Sequence, residues 1–141
     1  MKYLISFLTI LTLATMACGF TVNIPDRPEP GPDVTDEISV AVSDHDETRL
    51  KISFGAGELT LSHGAEDMLV EGTATYNVPN FKPEIEENGD TIEIKQGDFQ
   101  SLNVTDLKNK WDLKLGETPM ELESNAGAYH GRYELGGLAL T

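Results

Sequence analysis

The side chains that could do chemistry in this sequence are few in kind: one cysteine, three histidines and 24 acidic residues. Nucleophilic catalysis needs a Ser, Cys or Thr with a base in reach, and no Gly-x-Ser-x-Gly elbow is present. His45, His63 and His130 lie far apart and in no zinc-ligand spacing, so each reads as a surface residue. Asp44-His45-Asp46-Glu47 offers the oxygen ligands Ca²⁺ takes, yet it lacks the glycine and distal Glu of an EF-hand loop and reads as a solvated turn. Gly55-Ala56-Gly57 lacks the third glycine and following helix of a dinucleotide site. Paired carboxylates for glycoside hydrolysis cannot be singled out among so many acids. No catalytic residue, metal or cofactor is assigned, and the chain reads as a non-enzyme. The strongest binding candidates are Tyr76 and Phe81, which flank the proline turn in Tyr76-Asn77-Val78-Pro79-Asn80-Phe81. Exposed aromatics there would anchor an interface; the competing reading has both rings plugging the end of a sheet.

Charge narrows the partners. The formal net charge is −14, and such a surface repels phosphate backbones, which are bound by cationic side chains that release counterions. Nucleic acid is excluded on this ground, and anionic lipid is repelled in the same way. The acidity serves solubility; a sharper reading has it binding divalent cations or a basic partner.

The lone cysteine explains the N-terminus. Lys2, the apolar run Leu4–Leu13 and the small residues before Cys18 form the three-part layout of a secretory signal. The run is too short for a bilayer span of ~20 residues. The context of Cys18 resembles the lipobox of bacterial lipoproteins, with Ala17 where that motif wants it and departures at Thr15 and Met16. Residues 1–17 are therefore expected to be an export signal and Cys18 the lipid attachment site, which anchors the chain to a membrane. With no second cysteine there is no intramolecular disulfide, and the fold must rest on its apolar core.

The elements that would position these residues are strands. Residues 18–36 carry Pro25, Pro28, Pro30 and Pro32, too dense for helix or ladder, and read as a semi-rigid tether. From Glu37 the pattern has period two: Ile38, Val40, Val42; then Leu50, Ile52, Phe54; then Leu59, Leu61. Alternation of this kind marks strands with one wet face, with turns expected at Asp44–Asp46, Gly55–Gly57 and His63-Gly64. Met68–Val78 is a further strand, bounded by Pro79. Asn88-Gly89 predicts a hairpin between Pro83–Glu87 and Asp90–Lys95, with Ile85, Ile92 and Ile94 on its apolar face. Trp111, Leu113 and Leu115 alternate again, Met120 and Leu122 start another strand, and only Leu102–Lys108 has a short helical stripe. The expected class is all-β: a small antiparallel β-domain over 37–115 running into stacked, solenoid-like strands over 116–141.

One loose internal similarity supports stacking. Phe54-Gly55-Ala56-Gly57 recurs as Ser124-Asn125-Ala126-Gly127 before Tyr129–Leu135, as in coils that bury their apolar sides rung against rung. The strings Ile52–Leu61, Leu69–Val78, Lys82–Ile85, Trp111–Gly116 and Leu135–Leu138 resemble the N-terminal domain of bacterial toast-rack proteins and its passage into stacked β-repeats. The resemblance covers roughly residues 37–141. It implies a domain of unknown function whose relatives occur in extracytoplasmic parts of proteins tied to the response to cell-wall-active antibiotics, and in adhesin-like repeats. It brings no catalytic residue. Members usually run on through further repeats, whereas this chain stops at Thr141, so a fragment, a shortened member or an edge paired by a partner is expected. Two functions follow as expectations. One is a lipid-anchored envelope module that contacts an envelope protein or cell-wall polymer, as scaffold or stress sensor; the other is an adhesin-like domain for carbohydrate or cation.

Overall fold

The computed structural model describes residues 30–44, 47–97 and 106–141. The export signal, Cys18, most of the proline-rich stretch, His45, Asp46 and most of the helical candidate at 102–108 lie outside the described residues. Seven strands follow in order: β1 (Val34–Ala41), β2 (Thr48–Ala65), β3 (Met68–Tyr76), β4 (Pro83–Asn88), β5 (Thr91–Gln96), β6 (Asn109–Gly116) and β7 (Met120–Glu134). The single helical piece among the described residues is the 3-10 turn Pro79–Phe81. The fold is all-β, as the alternation implies.

Strand pairing is mixed, which corrects the antiparallel expectation. β1–β3, β3–β6 and β4–β5 pair antiparallel, but β2 pairs parallel with all three of its neighbours, β5, β6 and β7. Alternation tells which face of a strand is wet, and it carries no information on which strand lies beside it.

The second correction concerns Gly55–Gly57. No turn forms there, and β2 runs through as one strand of 18 residues. Its inward side changes parity on the way: Thr48, Leu50, Ile52 and Phe54 are buried, then Leu59, Leu61 and Ala65. Before the switch β2 lies beside β5, and after it beside β6. Because β7 follows β2 from Thr48 to Ser62, β5 and β6 share the other edge end to end.

Gly57 sits at the switch with φ 130°, and a Cβ there would lie 2.1 Å from the Asn109 carbonyl oxygen. Only glycine meets both conditions. In the gap between β5 and β6 the ladder partners of β2 are missing, and two side chains replace them. Gln96 Oε1 accepts from the N–H of Gly55 (3.0 Å), and Asn109 Nδ2 donates to the Ala56 carbonyl (2.7 Å) and to Gln96 Oε1 (2.8 Å). Backbone groups that would be orphaned at the fork are thereby satisfied.

The Asn88-Gly89 signal does make a hairpin, with Asn88 opposite Thr91. Gly89 takes the positive φ of 67° at the first central position, so the turn is centred one residue later than expected. Ile92 and Ile94 are buried as predicted, whereas Ile85 is exposed, because β4 is an edge strand that overhangs the core. Val42, just past the end of β1, is also exposed. His63-Gly64 belongs to β2, and the chain turns at Glu66-Asp67 instead. The core gathers on Trp111, fully buried and edge-on to Phe54 with ring centroids 5.1 Å apart, a geometry worth ~0.5–1.5 kcal/mol beyond burial.

Candidate functional site

The two aromatics singled out from the sequence are both placed in the core. Tyr76 is 6% exposed and Phe81 1%, so neither ring stands on the surface as an anchor would. Phe81 ends the 3-10 turn that closes the sheet after Pro79. Tyr76 turns its hydroxyl to Asp36 and donates to that carboxylate at 2.7 Å. Burial, and then the acidic partner, push the phenol up to about 12. The edge of Tyr76 also lines an apolar hollow of about 260 Å³ with Pro32, Val34, Val78, Pro79 and Lys82. Asp44, His63 and His130 are exposed and stand on separate elements. Among the described residues no group of three or more His, Cys, Asp and Glu is arranged to hold a metal ion.

A different surface is assembled by β7. Its register on β2 is constant, with Thr48 beside Met120, Phe54 beside Ala126, Gly57 beside Tyr129 and Leu61 beside Tyr133. The internal similarity is therefore spatial, two residues out from the alignment read in the sequence: Phe54 and Ala56 lie against Ala126 and Ala128. Ser124–Gly127 was expected as a turn, and it is strand instead, since β7 is continuous over 15 residues.

Register carries the parity switch of β2 into β7. In the first arm Met120, Leu122, Ser124 and Ala126 share the inward side; in the second arm Tyr129, Gly131 and Tyr133 do. Leu59 and Leu61 are sealed because β6 and β7 flank them. β7 has a full strand on one edge only, so Tyr129 and Tyr133 remain 39% and 40% exposed.

Their geometry is fixed nonetheless. The two hydroxyls are 3.0 Å apart, and Ser124 Oγ lies 3.3 Å from that of Tyr133. Tyr129 meets Phe54 edge-on at 6.3 Å, which roots the exposed pair in the core. Both rings close over Gly131, where a Cβ would fall 2.5 Å from one ring and 2.8 Å from the other. The hydrogen bond with Tyr133 raises the Tyr129 pKa, so the hydroxyls stay neutral donors and acceptors at physiological pH.

Such a pair can stack on a flat apolar group and hydrogen-bond its rim. The sequence signal was the spacing Tyr129-x-Gly131-x-Tyr133, which puts three side chains on one face of a strand; nothing in it revealed that this face lacks a cover. The outer edge of β7 is occupied only at its start. Met120 N–H donates to the Ala139 carbonyl and Thr141 N–H to the Met120 carbonyl, both at 3.1 Å. Past that bridge no strand among the described residues pairs it.

Comparison with known proteins agrees on the fold. A crystal structure of a candidate cell adhesion protein from Clostridium sporogenes is similar with a TM-score of 0.70 and 26% identity, over 78% of this chain and 55% of that one. The chain thus spans about half the length of that protein. A candidate adhesin from Parabacteroides distasonis shares 16% identity at a TM-score of 0.40, over 72% of this chain and 40% of its own. No curated protein matches the chain. Residues 29–141 match the family described as the N-terminal domain of toast_rack, DUF2154, and the chain belongs to that family.

Proposed function

We propose that the protein is a non-catalytic interaction module of the cell envelope, held to a membrane by lipid on Cys18 and making contact through the inward face of β7. The observation that carries this reading is the Tyr129–Gly131–Tyr133 face, aromatic, ordered by hydrogen bonds and uncovered. Exposed aromatics with a polar tip favour interfaces. The similarity to a candidate cell adhesion protein supports a surface role, and the partner would be an envelope protein or a cell-wall polymer. A scaffold or wall-stress role is the finer form of the same reading. The adhesin-like alternative favours carbohydrate over cation, since sugars stack on aromatic faces and the described residues gather no cation ligands.

Binding of the protein to isolated cell-envelope material, measured by co-sedimentation, tests the reading. Tyr129→Ala/Tyr133→Ala is expected to lower retention several-fold with the far-UV circular dichroism spectrum unchanged. Equal retention of variant and wild type would remove β7 as the contact face. Radiolabelled palmitate incorporated by wild type and absent from Cys18→Ala supports the anchor; equal labelling would end it.

A further inference from the structure

We propose that two copies of the 141-residue chain pair antiparallel along the free edge of β7, about a two-fold axis between Gly127 and Ala128. Contact through β7 is shared with the function proposed above, but the occupant here is a second copy and the contact is the strand edge rather than the ring faces.

The parity switch selects the arrangement. In the first arm inward side chains fall on even positions, Leu122, Ser124 and Ala126. In the second they fall on odd positions, Tyr129, Gly131 and Tyr133. Antiparallel partners point their side chains to the same face. A β7–β7 pair therefore keeps both cores on one side only if even positions meet odd ones. A strand without the switch could not do this about an axis between two neighbouring residues.

With the axis between Gly127 and Ala128, Ala126 meets Tyr129 of the other copy, Ser124 meets Gly131 and Leu122 meets Tyr133. The backbone agrees. Inward-facing Met120 directs its N–H and C=O to the free edge, where Ala139 and Thr141 take them. Residues of the same facing further along would direct theirs to the second copy. The tail at Leu138–Thr141 covers only Met120, so pairing starts at Leu122.

Charge fits the same register. On the outer face Glu123 stands opposite Arg132 of the other copy, twice by symmetry, and Asn125 opposite His130. Glu121 would meet Glu134, and each already has a cation of its own chain, Arg49 at 2.9 Å and Arg132 at 2.6 Å respectively. The free edge has no proline, bulge or lysine to ward off pairing. The Tyr129 and Tyr133 rings of both copies would then line one continuous trough.

The mass of the full chain in mild detergent, by native mass spectrometry, tests this. Twice the 15.4 kDa chain mass is expected, with Glu123→Arg weakening the dimer at least tenfold and Glu123→Arg/Arg132→Glu restoring it. A monomer at 100 µM wild type, or a dimer indifferent to Glu123→Arg, would overturn the proposal. Register is read by a disulfide. In a Cys18→Ser background, Glu123→Cys/Arg132→Cys is expected to oxidise to a covalent dimer, since such cross-strand Cα pairs lie ~4.5 Å apart. Glu123→Cys alone is not. No cross-link in the double variant refutes this register. Co-sedimentation retained by a monomeric Glu123→Arg variant would leave the binding face standing, while loss of envelope binding with an intact dimer would do the reverse.

Discussion

Tyr76 shows how a single residue can look like a ligand contact and be a structural strut. Its ring closes the core beside β1 and its hydroxyl is held by Asp36. Its pKa in the fold, about 12, lies above the ordinary value of 10.0. The sign follows: the stabilisation is complete below about pH 10 and is lost as pH rises from there through 12, because the unfolded phenol ionises first. In an ultraviolet phenolate titration the last tyrosine to ionise should vanish in Tyr76→Phe; persistence of that phase would assign it elsewhere. Glu93 has the opposite sign. The hydrogen bond from Ser53, followed by Lys51, holds its pKa below the usual carboxylate value. Its contribution is present near neutrality and fades as pH falls through that lowered value. Ser53→Ala is expected to narrow this margin, seen as an acid-unfolding midpoint moved to higher pH.

Among the elements, β2 decides the architecture, and its decisive part is the fork at residues 55–57. Gly57→Ala combines a positive φ with a clash against the Asn109 carbonyl. Backbone strain of this kind costs about 1–3 kcal/mol, and the lowered urea midpoint should show it; an unchanged midpoint would mean the fork relaxes freely. Asn109→Ala leaves the Ala56 carbonyl without its side-chain donor, at a cost of about 1–3 kcal/mol for an unsatisfied buried group. Gln96→Ala should cost a similar amount, and the double variant less than the sum, since the two side chains share one hydrogen bond. Strict additivity in urea melts would show that they act separately.

For the whole molecule, one core cluster joins residues from β1, β2, β3, β5 and β6 to Met120 at the start of β7. The sequence suggested a division near residue 115, with a repeat region beyond it. Because β7 pairs with β2 along nearly its whole length, unfolding is expected as one transition. Fluorescence of Trp111, fully buried and the only tryptophan, should coincide with the far-UV signal in denaturant. An earlier loss of strand signal would mean that the second arm of β7 melts by itself.

Much of this was open to reading in the residues themselves. Period-two alternation names the strands and their buried sides, because side chains of an extended chain must alternate. Asn88-Gly89 names a hairpin, because few residues accept its dihedrals. Pairing was not open to the same reading. Leu50, Ile52 and Phe54 would look identical beside an antiparallel neighbour, and Gly55–Gly57 would look identical as a turn. Whether such a glycine stretch reverses the chain or lets one strand change partners depends on what stands across from it, here Gln96 and Asn109, some 40 and 50 residues away. The candidate site divides in the same way. Tyr76 and Phe81 have the right chemistry and are covered, while Tyr129 and Tyr133 have it and are not, because exposure is fixed by neighbours that only the folded chain supplies.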